Sequence, residues 1–426
     1  MQAKGTIRHG VSRRAALKGA GALTLASGIG GFPHIAKAAG KVIRVGMNTI
    51  LSGRVALVGT SSSNAARLVI DKFNAEGGAG GRTIELVVRD SKGRPDEAAR
   101  VVRDLMDVEG CEIILDSEAS SGAFAVHEVM RTRGVLCIHT NSETSQLTAD
   151  PKMHIPTVFR SARQGIQDAV GGGQYAAAIA KKKKLTRWMT CSPDYVYGRD
   201  NTAQFMEYAK IFDPAIRLVE GAWPKLFQPD YTPVITKILQ EKPQALYSAL
   251  WGGDLSAFID QGNLYGLFHN IDTFAVNLGD YSVLKAVKSL PKGLHSGSRY
   301  NRIVPHSAAN EAFYTAYTKR FPGQWPTNWS WQNATGAAFM CDALKKTGGK
   351  TDGKLLAAAI AGRTIKSPFG VKGTITMRAE DHTIIDYAVA YGITEPVDPY
   401  LTDIQMADWG AILEHEAEWK KKKGYA

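Results

Sequence analysis

No Cys-x-x-Cys pair occurs in the chain. Its four cysteines, Cys111, Cys137, Cys191 and Cys341, are widely separated, which excludes zinc ribbons and thioredoxin-type redox pairs. Each lies in or beside an apolar run. An oxidising compartment would allow one or two disulfides, but those surroundings favour buried thiols. Beyond the N-terminus there is no run of about 20 apolar residues, so no membrane span is expected. Catalytic signatures are missing too: no G-x-S-x-G elbow, no H-E-x-x-H helix and no G-x-G-x-x-G behind a strand. "TGGKT" (347–351) has Leu344 where the first glycine of a phosphate loop would stand, and it reads as a helix C-cap. No catalytic residue, metal site or cofactor is therefore expected. No short-period repeat is present.

The net charge of +12 is not the footprint of a nucleic-acid partner. Half of it sits in residues 1–38, where Lys4, Arg8, Arg13, Arg14, Lys18 and Lys37 occur without a single acid. Much of the rest is in two lysine runs, 181–184 and 420–423, with no interleaved aromatics on which bases could stack. Both runs read as solvated helix ends. At 426 residues and 44% hydrophobic content, the chain is long and apolar enough for two or three domains with sizeable cores.

The N-terminal 38 residues read as an address. "SRRAALK" (12–18) precedes a weakly apolar Gly/Ala stretch and "AKA" (36–38), a small-x-small cleavage pattern. The combination resembles a twin-arginine (Tat) export signal, cleaved near Ala38. The mature chain is expected in the periplasm.

Strand-like and helix-like segments then alternate. Strands are expected at 41–47, 83–90, 112–116 and 135–140, with helices over 63–78, 96–108 and 123–133 between them. After a long connection (141–163) strands recur at 186–192, 216–223, 245–251 and 272–278. Residues 310 to about 365 read as mostly helical, and 373–394 as a terminal hairpin. Such β-α-β order predicts doubly wound parallel sheets.

In open α/β sheets ligands bind outside the carboxyl ends of the strands. "LDSEASSGAFAV" (115–126) puts Ser120 and Ser121 at such an end, where a helix N-terminus offers free N–H groups to an anion. The hydroxyls are read as holding a ligand and as capping the helix. Similar polar turns follow the other strands, at 141–144, 192–200, 251–254 and 277–282. Together they predict a cleft for a small polar molecule.

Several stretches in order carry a family resemblance. These are "IRVGMNTILSG", "FNAEGGAGGRTIELVVRDSKGRPDEAARVVRDLM", "ASSGA", "YVYGRD", "DYTPVITKILQEKPQAL" and "AFIDQGNLYGL". The chain resembles, over nearly all of its mature length, the periplasmic substrate-binding proteins of branched-chain-amino-acid-type ABC transporters. The resemblance implies two lobes joined by a multi-strand hinge, 41–159 with 300–383 and 160–299 with 384–426. It implies a non-enzymatic monomer that clamps an amino acid, an amide or an aromatic or carboxylic acid and delivers it to a membrane permease. Ser120 falls where the family binds a carboxylate, beside Ser121, and Asn141, Ser142 and Glu143 fall on a second ligand loop. Tyr197 and Trp251 would be walls of the second lobe, and Asn277 and Asp280 lie near the acid that holds an ammonium group. Glu143 stands where a neutral hydroxyl is usual, which predicts repulsion of a carboxylate. Val58 stands where an aromatic is common. Trp329 and Trp331 read as core or lobe surface. Two other readings are an exported serine hydrolase using Ser120 or Ser121, with His127, His139 or His154 as base, and a sensor subunit uncoupled from transport.

Overall fold

The structure is a computed structural model that describes residues 42–426; the export signal expected over 1–38 lies outside the described residues. The chain begins with β1 (Ile43–Thr49), α1 (Ala56–Ala75), β2 (Ile84–Asp90), α2 (Pro95–Asp107), β3 (Ile113–Ser117), α3 (Ser120–Met130), β4 (Leu136–His139), α4 (Gln146–Ala149) and β5 (Val158–Arg160). These five strands form one parallel sheet in the order β2-β1-β3-β4-β5. The central strand β3 is buried along its whole length, as a parallel strand covered by helices on both faces must be.

A second run follows: α5 (Gly165–Lys183), β6 (Arg187–Thr190), α6 (Val196–Phe212), β7 (Arg217–Leu218), α7 (Thr232–Glu241), β8 (Ala245–Ser248), α8 (Gly252–Leu264), β9 (Asp272–Ala275), α9 (Tyr281–Leu284) and β10 (His295–Gly297). Then come α10 (Ala308–Arg320), α11 (Asn328–Lys346), α12 (Gly353–Ile360), β11 (Thr364–Lys366), β12 (Thr374–Met377), β13 (Ile384–Ile385), β14 (Ala390–Thr394), β15 (Leu401–Met406) and α13 (Trp409–Lys423). The second sheet has the order β15-β14-β10-β9-β8-β6-β7, parallel from β10 to β7 and antiparallel at β14 and β15. A small antiparallel sheet joins β11, β12 and β13.

The fold class read from the alternation is that of the structure. The terminal hairpin is a correction: β12 pairs with β13, but β14 leaves for the second sheet, where it pairs with β10. Between them Asp386 adopts φ 70°, and the buried Val389, Ala390 and Tyr391 gain more by entering the large core than by extending the small sheet. The strand expected at 216–223 shrinks to the two residues of β7.

Helix α11, buried over most of its length, ties its N-terminus to the first sheet's layer. The Ser330 hydroxyl donates to the Ser61 carbonyl of α1 at 3.1 Å, and the Ser61 and Thr327 hydroxyls meet at 2.6 Å. Farther along α11, Gly336 lets the helix lie against the ends of β4 and β5, since a Cβ there would stand 2.7 Å from the Ser161 hydroxyl and 2.9 Å from Thr140 Cγ2. The lysine runs end α5 and α13, where cations suit the carboxyl end of a helix dipole. All four cysteines are free and buried, and burial pushes the Cys111 thiol up to about 11. Among the described residues no helix is long and apolar enough to cross a membrane.

Candidate functional site: a cleft between two sheet edges

The polar turns after the strands converge on one cleft of about 450 Å³. From the first sheet it is lined by Val58 of α1, by Ala119 and Ser120 after β3, and by Asn141 and Glu143 after β4. From the second sheet come Tyr195 and Tyr197 after β6, Trp251 and Gly252 after β8, and Asn277, Asp280 and Ser282 after β9. Asn328 and Trp329, at the start of α11, complete it. These are the carboxyl ends of the strands flanking the crossover point of each sheet, where the doubly wound topology leaves a crevice.

The serine pair separates. Ser120 is buried in the cleft wall, and its hydroxyl accepts a hydrogen bond from Ser142 at 3.3 Å. Ser121 does not line the cleft. Neither serine caps α3: its N-cap is Ala119, and no side chain caps the first turn. The expected capping role is therefore wrong, because the helix starts before the apolar spacing does. The amides of that turn are left for water or a ligand. Ser142 acts only behind Ser120. Asn141 reaches the cleft, but its amide braces the strand ends: Nδ2 donates to Ser117 Oγ at 2.5 Å, and Oδ1 accepts from Asn333 at 3.0 Å.

Glu143 lines the cleft with its charge already matched. Its Oε1 accepts from Asn328 Nδ2 at 2.7 Å and Gln332 Nε2 at 3.1 Å, and its Oε2 lies 3.4 Å from Arg299 Nη1. Arg299 also pairs with Asp168 at 3.0 Å, and Asp168 with Arg163 at 2.5 Å. Two guanidinium groups and two carboxylates thus form one buried chain. Burial alone would lower the Arg299 pKa, but Asp168 and Glu143 outweigh it and hold the guanidinium charged. Burial likewise opposes ionisation of Asp168, yet Arg163 and Arg299 hold its carboxyl below the usual range. Repulsion of a ligand carboxylate by Glu143 does not follow, because that charge is balanced from behind.

The opposite wall is aromatic. Tyr195 and Tyr197 both line it, with ring centroids 5.9 Å apart. Tyr197 Oη accepts from Asn277 Nδ2 at 3.0 Å, and the same amide reaches the Leu250 carbonyl at 3.0 Å. Trp251 stacks on Trp329 at 5.4 Å with 30° between the rings. Trp329 is thus part of the cleft, while Trp331 is core, donating to the Arg299 carbonyl at 2.9 Å. The Trp251 indole N–H lies near the Tyr195 hydroxyl and makes no hydrogen bond of good geometry. Asp280 caps α9 through Ser282 N and accepts from Asn328 N, both at 2.7 Å. Burial raises its pKa. The sequence singled out neither Asn328 nor Ser282.

The histidines nominated as bases do not meet Ser120. His139 Nδ1 lies 2.5 Å from Asp116 Oδ2, its Nε2 lies 3.0 Å from His127 Nδ1, and His127 Nε2 lies 2.6 Å from the Met153 carbonyl. Burial, with His139 alongside, drops the His127 pKa to about 4. His154 packs on His382 at 4.7 Å.

Close by, Glu118 is fully buried with neither carboxyl oxygen in a well-formed hydrogen bond. Burial first, then Asp116, raises its pKa well above the ordinary value. The folded state therefore holds this proton to higher pH than the unfolded chain does. Stability should fall as pH rises from about 4.3 toward the raised native value, by up to about 1.4 kcal/mol per pH unit. Glu118→Gln is expected to remove that slope and to be more stable than wild type at pH 8, as urea unfolding between pH 5 and 8 would measure.

Residues 42–394 match the family described as periplasmic binding protein. A Leu/Ile/Val-binding protein homolog 4 of Brucella abortus (strain 2308) is 24% identical over 375 residues, covering 82% of this chain and 83% of the relative. Among solved structures, an ABC-transporter solute binding protein of Rhodopseudomonas palustris BisB5, in complex with 3,4-dihydroxybenzoic acid, is 26% identical. It superposes with TM-score 0.76 over 86% of this chain and 98% of its own. A branched-chain amino acid transporter substrate binding protein of Streptococcus pneumoniae, in complex with isoleucine, shares the fold at TM-score 0.73 and 18% identity, over 86% of this chain and 99% of its own.

Proposed function

The chain belongs to the periplasmic binding protein family, and from that premise we propose that it is the solute receptor of an ABC transporter whose ligand is a small aromatic carboxylate. The observation that carries the ligand class is the aromatic lining of the cleft: Tyr195, Tyr197 and Trp251 face the uncapped first turn of α3, and Trp329 meets Trp251 from α11. A planar ring stacks on such walls, and the α3 amides with the Ser120 hydroxyl suit its carboxylate. Asp280 and the Trp251 N–H stand on the far wall for a hydroxyl on the ring. The similar R. palustris protein holds 3,4-dihydroxybenzoic acid, a molecule of this class. The balanced charge of Glu143 removes the objection to an anion.

The receptor closes as a hinge between two lobes, 41–159 with 300–383 and 160–299 with 384–426. This division follows the two large sheets, and the ligand favours the shut form because only that form offers it both walls. It is exported by a Tat-type signal cleaved near Ala38, acts as a periplasmic monomer and presents the closed form to a membrane permease. The hydrolase reading has no support in the geometry, since Ser120 has Ser142 and not a histidine on its hydroxyl.

A thermal-shift screen of residues 39–426 against benzoates, branched-chain amino acids and simple amides tests the reading. A ligand at about 100 times its Kd adds roughly 2.7 kcal/mol of stability. A rise with 3,4-dihydroxybenzoate and none with isoleucine is expected; the reverse would overturn the aromatic assignment. Ser120→Ala is expected to weaken that binding about tenfold, the worth of one hydrogen bond to a charged group, with only a small fall in the unfolding midpoint, because what the fold loses is the 3.3 Å bond from Ser142 and not a helix cap. Calorimetric titration of the variant would measure it.

A further inference from the structure

At the cleft mouth the turn Gly53–Val55, which follows β1, presses against the start of α8 on the second sheet's side. Arg54 Nε lies 3.3 Å from Asp254 Oδ1, and Arg54 Nη2 donates to the Gly253 carbonyl at 3.1 Å. The Asp254 carboxylate is buried and also accepts from Phe227 N at 2.7 Å, so one anion anchors the loop before α7 and receives a cation from across the cleft. The backbones are closer still. A Cβ on Gly253 would stand 2.4 Å from the Arg54 carbonyl oxygen, and one on Gly252, at φ +52°, would stand 3.2 Å from Val55 Cγ1. The shut cleft thus has no room for a side chain at position 253, although nothing in that glycine's φ demands glycine.

We propose that Gly53–Val55 and Trp251–Asp254 form a closure latch, in which Gly253 supplies the close approach and Arg54 on Asp254 supplies the hold. The latch rests on the hinge motion proposed above. A Cβ at 253 penalises the shut form alone, because the clash exists only across the cleft. Removing the Arg54 guanidinium has the same direction without steric conflict, and its half-exposed position leaves the fold untouched. In both variants the cleft opens more often, and any hydrogen bond that spans it is lost with it. The bond from Asn328 N to Asp280 Oδ2 spans it at a point remote in sequence from residues 54 and 253, and so reports closure rather than local damage. Val276 N to the Ser248 carbonyl, at 3.0 Å within the second sheet, reports the fold.

Amide hydrogen exchange of residues 39–426, resolved by residue and run without ligand, makes the comparison. In Gly253→Ala and in Arg54→Ala the Asn328 amide is expected to exchange roughly tenfold faster or more, with Val276 unchanged. An Asn328 amide equally protected in wild type and Arg54→Ala overturns the latch, and so does one already unprotected in wild type. Should Gly253→Ala speed Val276 as well, it has lost its fold and Arg54→Ala decides. A ligand screen that finds nothing would fail the receptor reading and leave this measurement intact, so the two failures are distinguishable.

Discussion

Arg299→Leu is expected to lower stability by about 3–5 kcal/mol, the cost of breaking a buried ion-pair network by removing one partner. Arg299 is fully buried and faces both Glu143 and Asp168, while its Nε donates to the Val276 carbonyl at 3.1 Å. Leucine fills part of the volume and leaves Glu143 with neutral donors only, Asn328 and Gln332, and Asp168 with Arg163 alone. The pH dependence tests the cause. Burial resists the Asp168 charge, but the two guanidinium groups hold its folded pKa below that of the unfolded chain. That contribution is therefore present above the unfolded pKa, near 3.9, and is lost as pH falls through the lower folded value. The gap between wild type and Arg299→Leu, read from urea unfolding midpoints, should be widest near pH 7 and narrow below pH 4. A gap that stays constant with pH would assign the loss to packing instead.

The same network explains where reading the sequence stopped. Glu143 was legible as an oddity in a ligand loop, but its partner lies 156 positions away, on the chain just after β10, and no local pattern links the two. What was legible was periodicity: β1 to β4 and the helices between them follow from apolar runs alternating with 3.6-residue spacing, whereas the three-residue β5, inside the connection expected over 141–163, is too short to show a period. The polar turns that line the cleft were legible for the same reason, as the carboxyl ends of those strands. Phase at helix starts was not. Ser120 and Ser121 are equivalent in sequence, and only the onset of α3 at Ser120 turns one hydroxyl inward. Trp329 and Trp331, two residues apart on α11, point to different surroundings, and α11 is buried so broadly that no polar stripe marks which is which. Tertiary contact, not propensity, separates them. The hairpin misreading has a like origin: 373–394 alternates as strands do, yet partner choice is set by which sheet can bury Tyr391.

Trp329→Ala is expected to weaken binding of 3,4-dihydroxybenzoate by about 30-fold or more, because a buried aromatic at the centre of a binding surface carries about 2 kcal/mol or more. Trp329 comes from α11, which is tied to α1, and Trp251 from the turn after β8, so their stack joins the two sides of the cleft. On the proposed function each ring is then both a wall for the ligand and a contact of the shut form. Trp251→Ala should lose a similar factor, and the double variant should lose far less than the product, since each single change already removes the shared stack. Trp251→Phe should recover part of the affinity, keeping an aromatic face while removing the indole N–H. Calorimetric titration of the four variants makes the comparison. Losses that multiply in the double variant would mean the rings act separately, one on the ligand and one in packing. A loss below about threefold for Trp329→Ala, far short of a hot spot, would remove this ring from the ligand's surroundings and with it the main support for an aromatic ligand.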